Sequence, residues 1–243
     1  MTGDAGGHYD VTLFNDTFTN YFSPEIGIAA VAVLQRAGRK VRVATPGCCG
    51  RPLISKGLLD QARARATRTC ETLFPIAEHG EKILFCEPSC LSAVKEDFPS
   101  LLRGEMRRKA QAVAAASQLF EEYASQLNLR MQAGPQTILL HGHCHQKSMG
   151  LLPATVSLLS QIPGARVVDL DAGCCGMAGS FGYATQHQQV SEAIANRKLI
   201  PSVLKRSEGD VVVAVGTSCR HQLHELANVT ALHPAMLVQR LLE

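Results

Sequence analysis

Two Cys-Cys-Gly triplets, 126 residues apart, are the residues of this chain best suited to chemistry. They are Cys48-Cys49-Gly50 and Cys174-Cys175-Gly176, and each follows an apolar run typical of a β-strand. Neighbouring side chains of a strand point to opposite faces, so adjacent thiolates converge only where the backbone turns, which glycine permits. A Ser-Cys pair follows each triplet after 42 and 45 residues, at Cys90 and Cys219. This pattern predicts a thiolate metal site in each half.

The sequence around the triplets is also repeated. The matching segments are Gly38–Val41 with Gly164–Val167, Ile83–Cys90 with Val212–Cys219, and the runs that begin at Val11 and at Ile138. A unit of roughly 125 residues therefore occurs twice. We predict a first repeat over residues 1–133 and a second over residues 134–243, divided at the Gly134-Pro135 break.

The two predicted sites differ in their number of cysteines. The second offers four thiolates, enough for a 4Fe-4S cluster: Cys144, Cys174, Cys175 and Cys219. The first offers three: Cys48, Cys49 and Cys90. The position that matches Cys144 falls near Asp16 or Thr17. Three sulfurs with a carboxylate or a histidine suit zinc or an incomplete second iron-sulfur cluster better than a full one.

Several other residues near the cysteines are candidates for a role. His141, His143 and His145 alternate around Cys144, so an extended backbone would place all three on the face opposite the cysteine. We expect one of them to ligate a metal or to hydrogen-bond a cluster sulfur, and the others to be structural. The glycines around the second triplet are expected to bring backbone N–H groups to the sulfurs.

Two cations and two further cysteines need separate interpretations. Lys147 and Arg220 lie beside cluster cysteines, where a cation would tune a negatively charged cluster, unless both are solvated surface charges. Cys70 lies inside a predicted helix with no ligand at i+3 or i+4, which favours a small buried hydrophobe. Cys86 lies four residues before Cys90, where it could assist the first site, but its place beside a predicted strand favours burial.

Periodicity and turn residues predict an α/β fold with parallel sheets, built as two pseudo-symmetric βαβαβ repeats. The predicted strands are Val11–Phe14, Val41–Ala44, Ile83–Phe85, Ile138–Leu140, Val167–Leu170 and Val211–Val215. Predicted helices run over 24–37, 58–77, 105–127, 155–161 and 185–199, with a short helix after Cys90. Functional sites of such sheets gather at the carboxyl ends of the strands, where all the candidate ligands fall.

Composition excludes several classes of function. Hydrophobic residues make up 46% of the 243 residues, aromatic residues 5%, and the net charge of +3 is too small to favour a nucleic-acid partner. No apolar run approaches the roughly 20 residues of a membrane span, and the N-terminus lacks the pattern of a signal peptide. Nine cysteines then indicate metal or redox chemistry in a cytoplasmic protein, peripheral at a membrane only through its partners.

The motifs CCGRPLISKG, EPSC, HGHCHQK, DAGCCGMAGSFGY, GTSCRHQ and ALHP together resemble the paired cysteine-rich CCG domain. This domain occurs in the cysteine-rich component of heterodisulfide reductases and, with closer resemblance, in the C-terminal iron-sulfur region of FAD-linked 2-hydroxy-acid oxidases and the glycolate oxidase iron-sulfur subunit. Related proteins include lactate utilisation proteins and anaerobic glycerol-3-phosphate dehydrogenase. The family pattern of five thiolates includes a CxxC motif, but Glu87 and Gly216 stand at its first cysteine here.

The resemblance implies an iron-sulfur electron-transfer domain or subunit of a flavin-dependent dehydrogenase for glycolate, lactate or a related substrate. FAD is expected only on a partner flavoprotein, with a ferredoxin-type iron-sulfur module beside it and a quinone or cytochrome as electron acceptor. Two alternatives remain open. One is a zinc-stabilised docking scaffold without a redox role, and the other is a thiol-disulfide oxidoreductase of the heterodisulfide reductase type.

Overall fold

The computed structural model describes residues 8–243. The absence of a signal peptide was inferred from the N-terminal stretch of the sequence. Most of that stretch lies outside the described residues. Within them, no helix is both long enough and apolar enough to cross a membrane. The chain divides into two compact units, one ending at Leu127 and the other beginning at Asn128. The predicted repeat boundary after residue 133 stays a prediction.

The first unit alternates strands and helices. Its strands are β1 (Val11–Phe14), β2 (Val41–Ala44), β3 (Lys82–Phe85) and β4 (Ser117–Leu119). Its α-helices are α1 (Thr17–Tyr21), α2 (Pro24–Arg36), α3 (Arg51–Ser55), α4 (Leu59–Glu78), α5 (Pro88–Ser92), α6 (Phe98–Leu101), α7 (Gly104–Ala116) and α8 (Phe120–Ala124). A π-helical turn, Ala93–Asp97, joins α5 to α6.

The second unit follows the same plan. Its strands are β5 (Thr137–His141), β6 (Arg166–Asp169) and β7 (Val211–Ala214). Its α-helices are α9 (Cys144–Ser148), α10 (Leu152–Ser160), α11 (Gln188–Arg197), α12 (Leu199–Leu204), α13 (Thr217–Ala227) and α14 (Pro234–Leu241). Two 3-10 turns, Phe181–Tyr183 and Thr185–His187, lie between β6 and α11.

Both sheets are parallel, which confirms the predicted α/β class. The first has the strand order β2-β1-β3-β4 and the second the order β6-β5-β7. Leu232 forms a parallel bridge with Val213 and takes the place beside β7 that β4 takes beside β3. In each sheet the chain order reverses beside the central strand, between β1 and β3 and between β5 and β7. Functional sites of such sheets gather outside the carboxyl ends of the strands at this point.

The central strands β1 and β5 are almost entirely buried, as is usual for strands of parallel sheets. Every residue of β1 is buried, and Phe14 stacks on Phe85 of β3 with ring centroids 4.5 Å apart. In the second unit, Cys175 and Cys219 belong to the same hydrophobic cluster as Leu139 and Leu223. Two of the predicted ligand cysteines are therefore part of the core that stabilises this unit.

The prediction of one helix over residues 105–127 is wrong. Helix α7 ends at Ala116, and the next three residues form β4, paired in parallel with Ile83, Leu84 and Phe85. The Ser117 hydroxyl donates to the Val113 carbonyl at 2.7 Å and helps to end the helix. The local helical propensity of this stretch is overridden by pairing with a buried strand, which a single sequence does not reveal.

Candidate metal centres

Each Cys-Cys pair lies between two glycines that hold it in a tight turn. Gly47 and Gly50 have φ of 88° and 82°, and Gly173 and Gly176 have φ of 71° and 95°. This region is costly for residues with a Cβ atom. The turn brings a backbone N–H to the first sulfur of each pair, from Gly50 to Cys48 Sγ at 3.4 Å and from Gly176 to Cys174 Sγ at 3.3 Å.

The second unit brings all four predicted sulfur ligands together. Hydrogen-bonding contacts join Cys144 to Cys174, Cys174 to Cys175, and Cys175 to Cys219. These thiols come from the loops or helices that follow β5, β6 and β7, so the carboxyl edge of the sheet collects them as predicted. The arrangement can hold a metal ion or a cluster with thiolate ligands.

The four thiols of this site alternate in acidity along the line of contacts. The pKa of Cys174 is lowered by its contacts with Cys144 and Cys175 and by backbone N–H groups. The pKa of Cys219 is lowered by its contact with Cys175, with His141 and His143 contributing against the effect of burial. The pKa of Cys144 is raised by its contact with Cys174 and then by burial, and that of Cys175 by Cys174, Cys219 and burial. A lowered pKa favours the thiolate form of Cys174 and Cys219, which is the form that binds metal.

His141 is the histidine that reaches the sulfurs. It ends β5, is 1% exposed, and has a ring nitrogen within 4.8 Å of the Cys175 and Cys219 sulfurs, which are equally close to each other. A ring nitrogen of His141 contacts the Cys219 sulfur, but neither ring nitrogen has a partner in good hydrogen-bond geometry among residues 8–243. Leaving a buried polar group unsatisfied costs about 1–3 kcal/mol, so this imidazole lowers the stability of the folded protein unless a ligand binds it.

The expectation that three histidines share one face of an extended strand is wrong. The strand ends at His141 and a helix begins at Cys144, because His143 caps that helix. The His143 Nδ1 accepts from the His145 backbone N–H at 3.2 Å, and the two rings stack with centroids 5.5 Å apart. The sequence signal that was missed is a capping pattern, in which Gln146 also accepts from the His143 backbone N–H.

Gly216 has a role that the sequence alone did not reveal. A Cβ atom at this position would lie 2.1 Å from Cδ2 of His143. The glycine therefore leaves room for the imidazole, and no larger residue fits there unless His143 moves. The first cysteine of the family's CxxC motif is absent from this position, and the imidazole of His143 fills the space that its side chain would take.

The two cations differ in how they are held. The Arg220 guanidinium donates to the carbonyls of Ala214 and Val215, at 3.1 and 2.6 Å, and to Thr217 Oγ1 at 3.0 Å. Lys147 Nζ is buried and has no hydrogen-bond partner within residues 8–243. Neither is therefore a freely solvated surface charge. A buried ammonium of this kind favours a neighbouring anion.

The first unit joins its three predicted ligands in the same way. Hydrogen-bonding contacts connect Cys48 to Cys49 and Cys49 to Cys90, and the Thr17 hydroxyl contacts Cys48. Thr17 begins α1 as Cys144 begins α9, and it contacts the first cysteine of its triplet as Cys144 does. Thr17, and not Asp16, is therefore the residue that stands in place of Cys144.

All three thiols of the first site have a raised pKa. For Cys48 the main cause is its contact with Cys49, followed by burial. For Cys49 the contact with Cys48 lowers the pKa, but the contact with Cys90 and complete burial outweigh it. For Cys90 the contact with Cys49 lowers the pKa, but burial and the charges of Asp16 and Glu87 raise it to about 12.

The two carboxylates beside this site are buried and fully engaged in capping. Asp16 accepts from the backbone N–H groups of Phe18 and Thr19, at 2.8 and 3.2 Å, and Glu87 accepts from Ser89 Oγ at 2.8 Å. The pKa of Asp16 is raised by burial and by the charge of Glu87. A negatively charged cluster would meet further negative charge here.

The remaining two cysteines are both buried, as predicted. Cys70 is fully buried inside α4, and burial, assisted by the charge of Glu71, raises its pKa to about 12. Cys86 is 3% exposed at the end of β3.

Comparison with known proteins identifies the repeated unit. The profile of the cysteine-rich CCG domain matches residues 11–95 and 138–224. The chain belongs to the CCG cysteine-rich domain family. The recognition made from the motifs is confirmed, and each match contains one of the two cysteine sites.

Three relatives indicate the kinds of protein in which this domain pair occurs. The chain is 27% identical to one component of the anaerobic glycerol-3-phosphate dehydrogenase of Escherichia coli K12, over 96% of its own length and 59% of that protein. It is 24% identical to D-2-hydroxyglutarate dehydrogenase of Pseudomonas putida, over 94% of its own length and 22% of that protein. It is 24% identical to lactate utilization protein A 2 of Bacillus cereus, over 95% of its own length and 98% of that protein.

Proposed function

We propose that this chain is the iron-sulfur electron-transfer component of a flavin-dependent dehydrogenase for a 2-hydroxy acid or a related substrate. The observation that carries the proposal is the unbroken line of contacts through Cys144, Cys174, Cys175 and Cys219 at one sheet edge. The names of the three relatives, two dehydrogenases and a lactate utilization protein, support the same class of reaction.

The residues of the second site fit a thiolate-bound cluster in donor type and in surroundings. Two thiols already have a lowered pKa, and backbone N–H groups of Gly176, Met177 and Ala178 contact the sulfurs of the triplet. An unpartnered buried ammonium at Lys147, within the described residues 8–243, complements negative charge. We therefore assign the 4Fe-4S cluster to this site.

When bound, such a cluster takes up and passes on one electron at a time. In this role the four cysteines hold the centre, and the hydrophobic cluster that contains Cys175 and Cys219 excludes water from it. Cys144 and Cys174 are only half-buried and form the side nearest to solvent. We propose that electrons enter or leave on that side.

The partners follow from the same proposal. FAD is carried by a partner flavoprotein dehydrogenase subunit or domain, a ferredoxin-type module links it to this chain, and a quinone or cytochrome takes the electrons onward. The first site, with Cys48, Cys49 and Cys90, is proposed to hold zinc or an incomplete cluster. We place the complex in the cytoplasm, with contact to a membrane only through its partners.

A zinc-stabilised scaffold is the second candidate. It is favoured by the convergence of His141, Cys175 and Cys219, since two sulfurs and an imidazole are donors that zinc commonly takes in a tetrahedral site. A zinc centre would support docking of catalytic subunits without carrying electrons.

Anaerobic purification followed by iron, zinc and acid-labile sulfide analysis tests the proposal. Iron and sulfide are expected in the wild-type chain, and Cys174→Ser or Cys219→Ser should remove most of both together with the visible absorbance. The matched variants Cys49→Ser and Cys90→Ser should retain them. Zinc alone would favour the scaffold, and metal-free titratable thiols would favour the thiol-disulfide enzyme. Loss of iron in Cys49→Ser but not in Cys174→Ser would overturn the assignment of the sites.

A further inference from the structure

His141 combines three features that a structural core histidine does not combine. Its side chain is 1% exposed at the end of the central strand β5, and a ring nitrogen contacts the Cys219 sulfur. Neither ring nitrogen has a partner in good hydrogen-bond geometry among the described residues 8–243. It also lies within 4.8 Å of two cysteine sulfurs. A buried imidazole normally satisfies at least one nitrogen with a carbonyl, a carboxylate or water.

The first unit has an apolar residue at the equivalent position. Val11 of β1 pairs with Val41, as Ile138 of β5 pairs with Val167, so Phe14 occupies the place of His141. Phe14 is fully buried and stacks on Phe85. The fold itself therefore does not require a polar group at this end of the central strand.

The spacing of the three donor atoms suits a shared metal centre. Metal-sulfur bonds of about 2.3 Å and metal-nitrogen bonds of about 2.0–2.1 Å place two ligands of one tetrahedral ion roughly 3.5 Å apart. The separations among His141, Cys175 and Cys219 are at most 4.8 Å. The difference is therefore at most about 1.3 Å.

We infer that a ring nitrogen of His141 is a direct ligand of the metal centre that Cys175 and Cys219 also bind. The second site then offers five donors, four thiolates and one imidazole, which is one more than the four terminal positions of a cubane 4Fe-4S cluster and equals the number of thiolates in the family pattern. This inference rests on the proposed function for the identity of the centre, but the imidazole bond holds for any metal bound there. His143 is excluded from the same role, because its Nδ1 already accepts from the His145 N–H and its ring is packed on Gly216.

The experiment uses the full chain, purified anaerobically, with histidine labelled by nitrogen-15 in an otherwise unlabelled protein. Pulsed electron paramagnetic resonance of the dithionite-reduced cluster measures the coupling between the electron spin and the labelled nitrogen. A strong coupling is expected in the wild type. It should disappear in His141→Cys, in which a thiolate replaces the imidazole and iron content stays near the wild-type value.

His143→Asn is the matched control, because asparagine keeps the acceptor that caps α9 while removing the neighbouring imidazole. It should keep the strong nitrogen coupling. His141→Phe copies the first unit and should lower the iron content, although the conclusion does not depend on its folding. Absence of the coupling in the wild type, or its persistence in His141→Cys, would overturn the inference.

The outcome separates the inference from the proposed function. Iron and sulfide without a coupled histidine nitrogen would leave the proposed function intact and remove only the imidazole ligand. If the chain holds zinc instead, zinc-edge X-ray absorption replaces the resonance measurement. Imidazole scattering in the wild type that is lost in His141→Cys would then support the ligand while rejecting the iron-sulfur function. A chain that binds no metal would overturn both.

Discussion

The two cysteine sites have nearly the same sulfur arrangement but opposite electrostatic surroundings. The first unit places the carboxylates of Asp16 and Glu87 at the ends of its two central strands, and all its site thiols have a raised pKa. The second unit places His143 and Gly216 at those positions, and two of its thiols have a lowered pKa. The fold thus brings the sulfurs together, and contacts among the thiols together with burial dominate their pKa shifts, while the helix-capping residues contribute at Cys90 and Cys219.

The largest difference is expected when alanine replaces the glycine of each triplet. A Cβ at Gly176 would lie 2.1 Å from the Ser191 carbonyl oxygen, whereas a Cβ at Gly50 would meet only the flexible side chain of Arg65, at 3.2 Å. Both changes carry the cost of a positive φ, about 1–2 kcal/mol. Gly176→Ala should lose more than about 4 kcal/mol of unfolding free energy in total, since a backbone must move. Urea denaturation of the two variants gives the comparison, and equal losses would contradict it.

The next largest difference concerns pH, because metal binding requires deprotonated thiols. A lowered pKa leaves Cys174 and Cys219 ionised at neutral pH, so binding at the second site should release about two protons, from Cys144 and Cys175. At the first site all three thiols are protonated, and about three protons should be released. Affinity should therefore fall at both sites as pH falls, and by about tenfold more per pH unit at the first.

Calorimetric titration with zinc in buffers of different ionisation enthalpy counts these protons. The double variant Cys49→Ser/Cys90→Ser leaves the second site, and Cys174→Ser/Cys219→Ser leaves the first. Equal proton counts in the two variants would show that the surroundings do not set the acidity of the thiols.

A smaller effect is expected from rebuilding the first site to resemble the second. Thr17→Cys supplies the missing fourth sulfur, but the cluster that it would complete is negatively charged and lies beside two buried carboxylates. Thr17→Cys alone should therefore bind little iron. Adding Asp16→Asn and Glu87→Gln should raise the affinity by about tenfold or more per charge removed, because a neighbouring charge shifts such equilibria by about 1–3 pKa units.

Iron per chain, measured in the Cys174→Ser/Cys219→Ser background, reports the first site alone. Asparagine at position 16 keeps the cap of α1, so the variant tests charge and not helix stability. Full iron loading by Thr17→Cys without the other two changes would mean that the carboxylates do not distinguish the sites.

The smallest expected effect is on reduction potential. Lys147 Nζ is buried without a partner in the described part of the chain, so Lys147→Met removes a charge that favours the reduced centre. The potential should fall by an amount equivalent to about 1 kcal/mol, or roughly 40 mV for a one-electron couple. Arg220→Met should shift it less, because the guanidinium already donates to two carbonyls at the end of β7.

Lys198 is the control for this titration, since its exposed ammonium donates to the Asp171 carbonyl at 2.9 Å and is screened by solvent. Lys198→Met should leave the potential unchanged. Equal shifts in all three variants would indicate a general charge effect and no specific role for Lys147.

The sequence predicted the strands of the fold well, because short runs of β-branched and apolar residues bounded by turn residues leave a strong signal. Strands Val11–Phe14 and Val41–Ala44 were predicted with their observed bounds, and the long helix after the first triplet within a residue at each end. The helix prediction failed where Ser117–Leu119 joins the sheet. That strand is stabilised by a distant partner, and local propensity carries no information about it.

The cysteines that approach one another were also predictable, since their type and spacing repeat. Their neighbours were not. The spacing of His141, His143 and His145 suggested one shared face, whereas the strand ends at His141 and a helix cap begins two residues later. The packing of His143 on Gly216 depends on a contact between separate loops, which spacing along the chain does not encode.

Cys175 and Cys219 also affect the stability of the second unit, because they are packing residues of its hydrophobic cluster. Any metal that joins them adds its binding free energy to the folded form alone and so stabilises that unit by mass action. We expect cells starved of the metal to degrade this chain from its second unit. The abundance of the protein would then follow nutrient supply without any change in its synthesis.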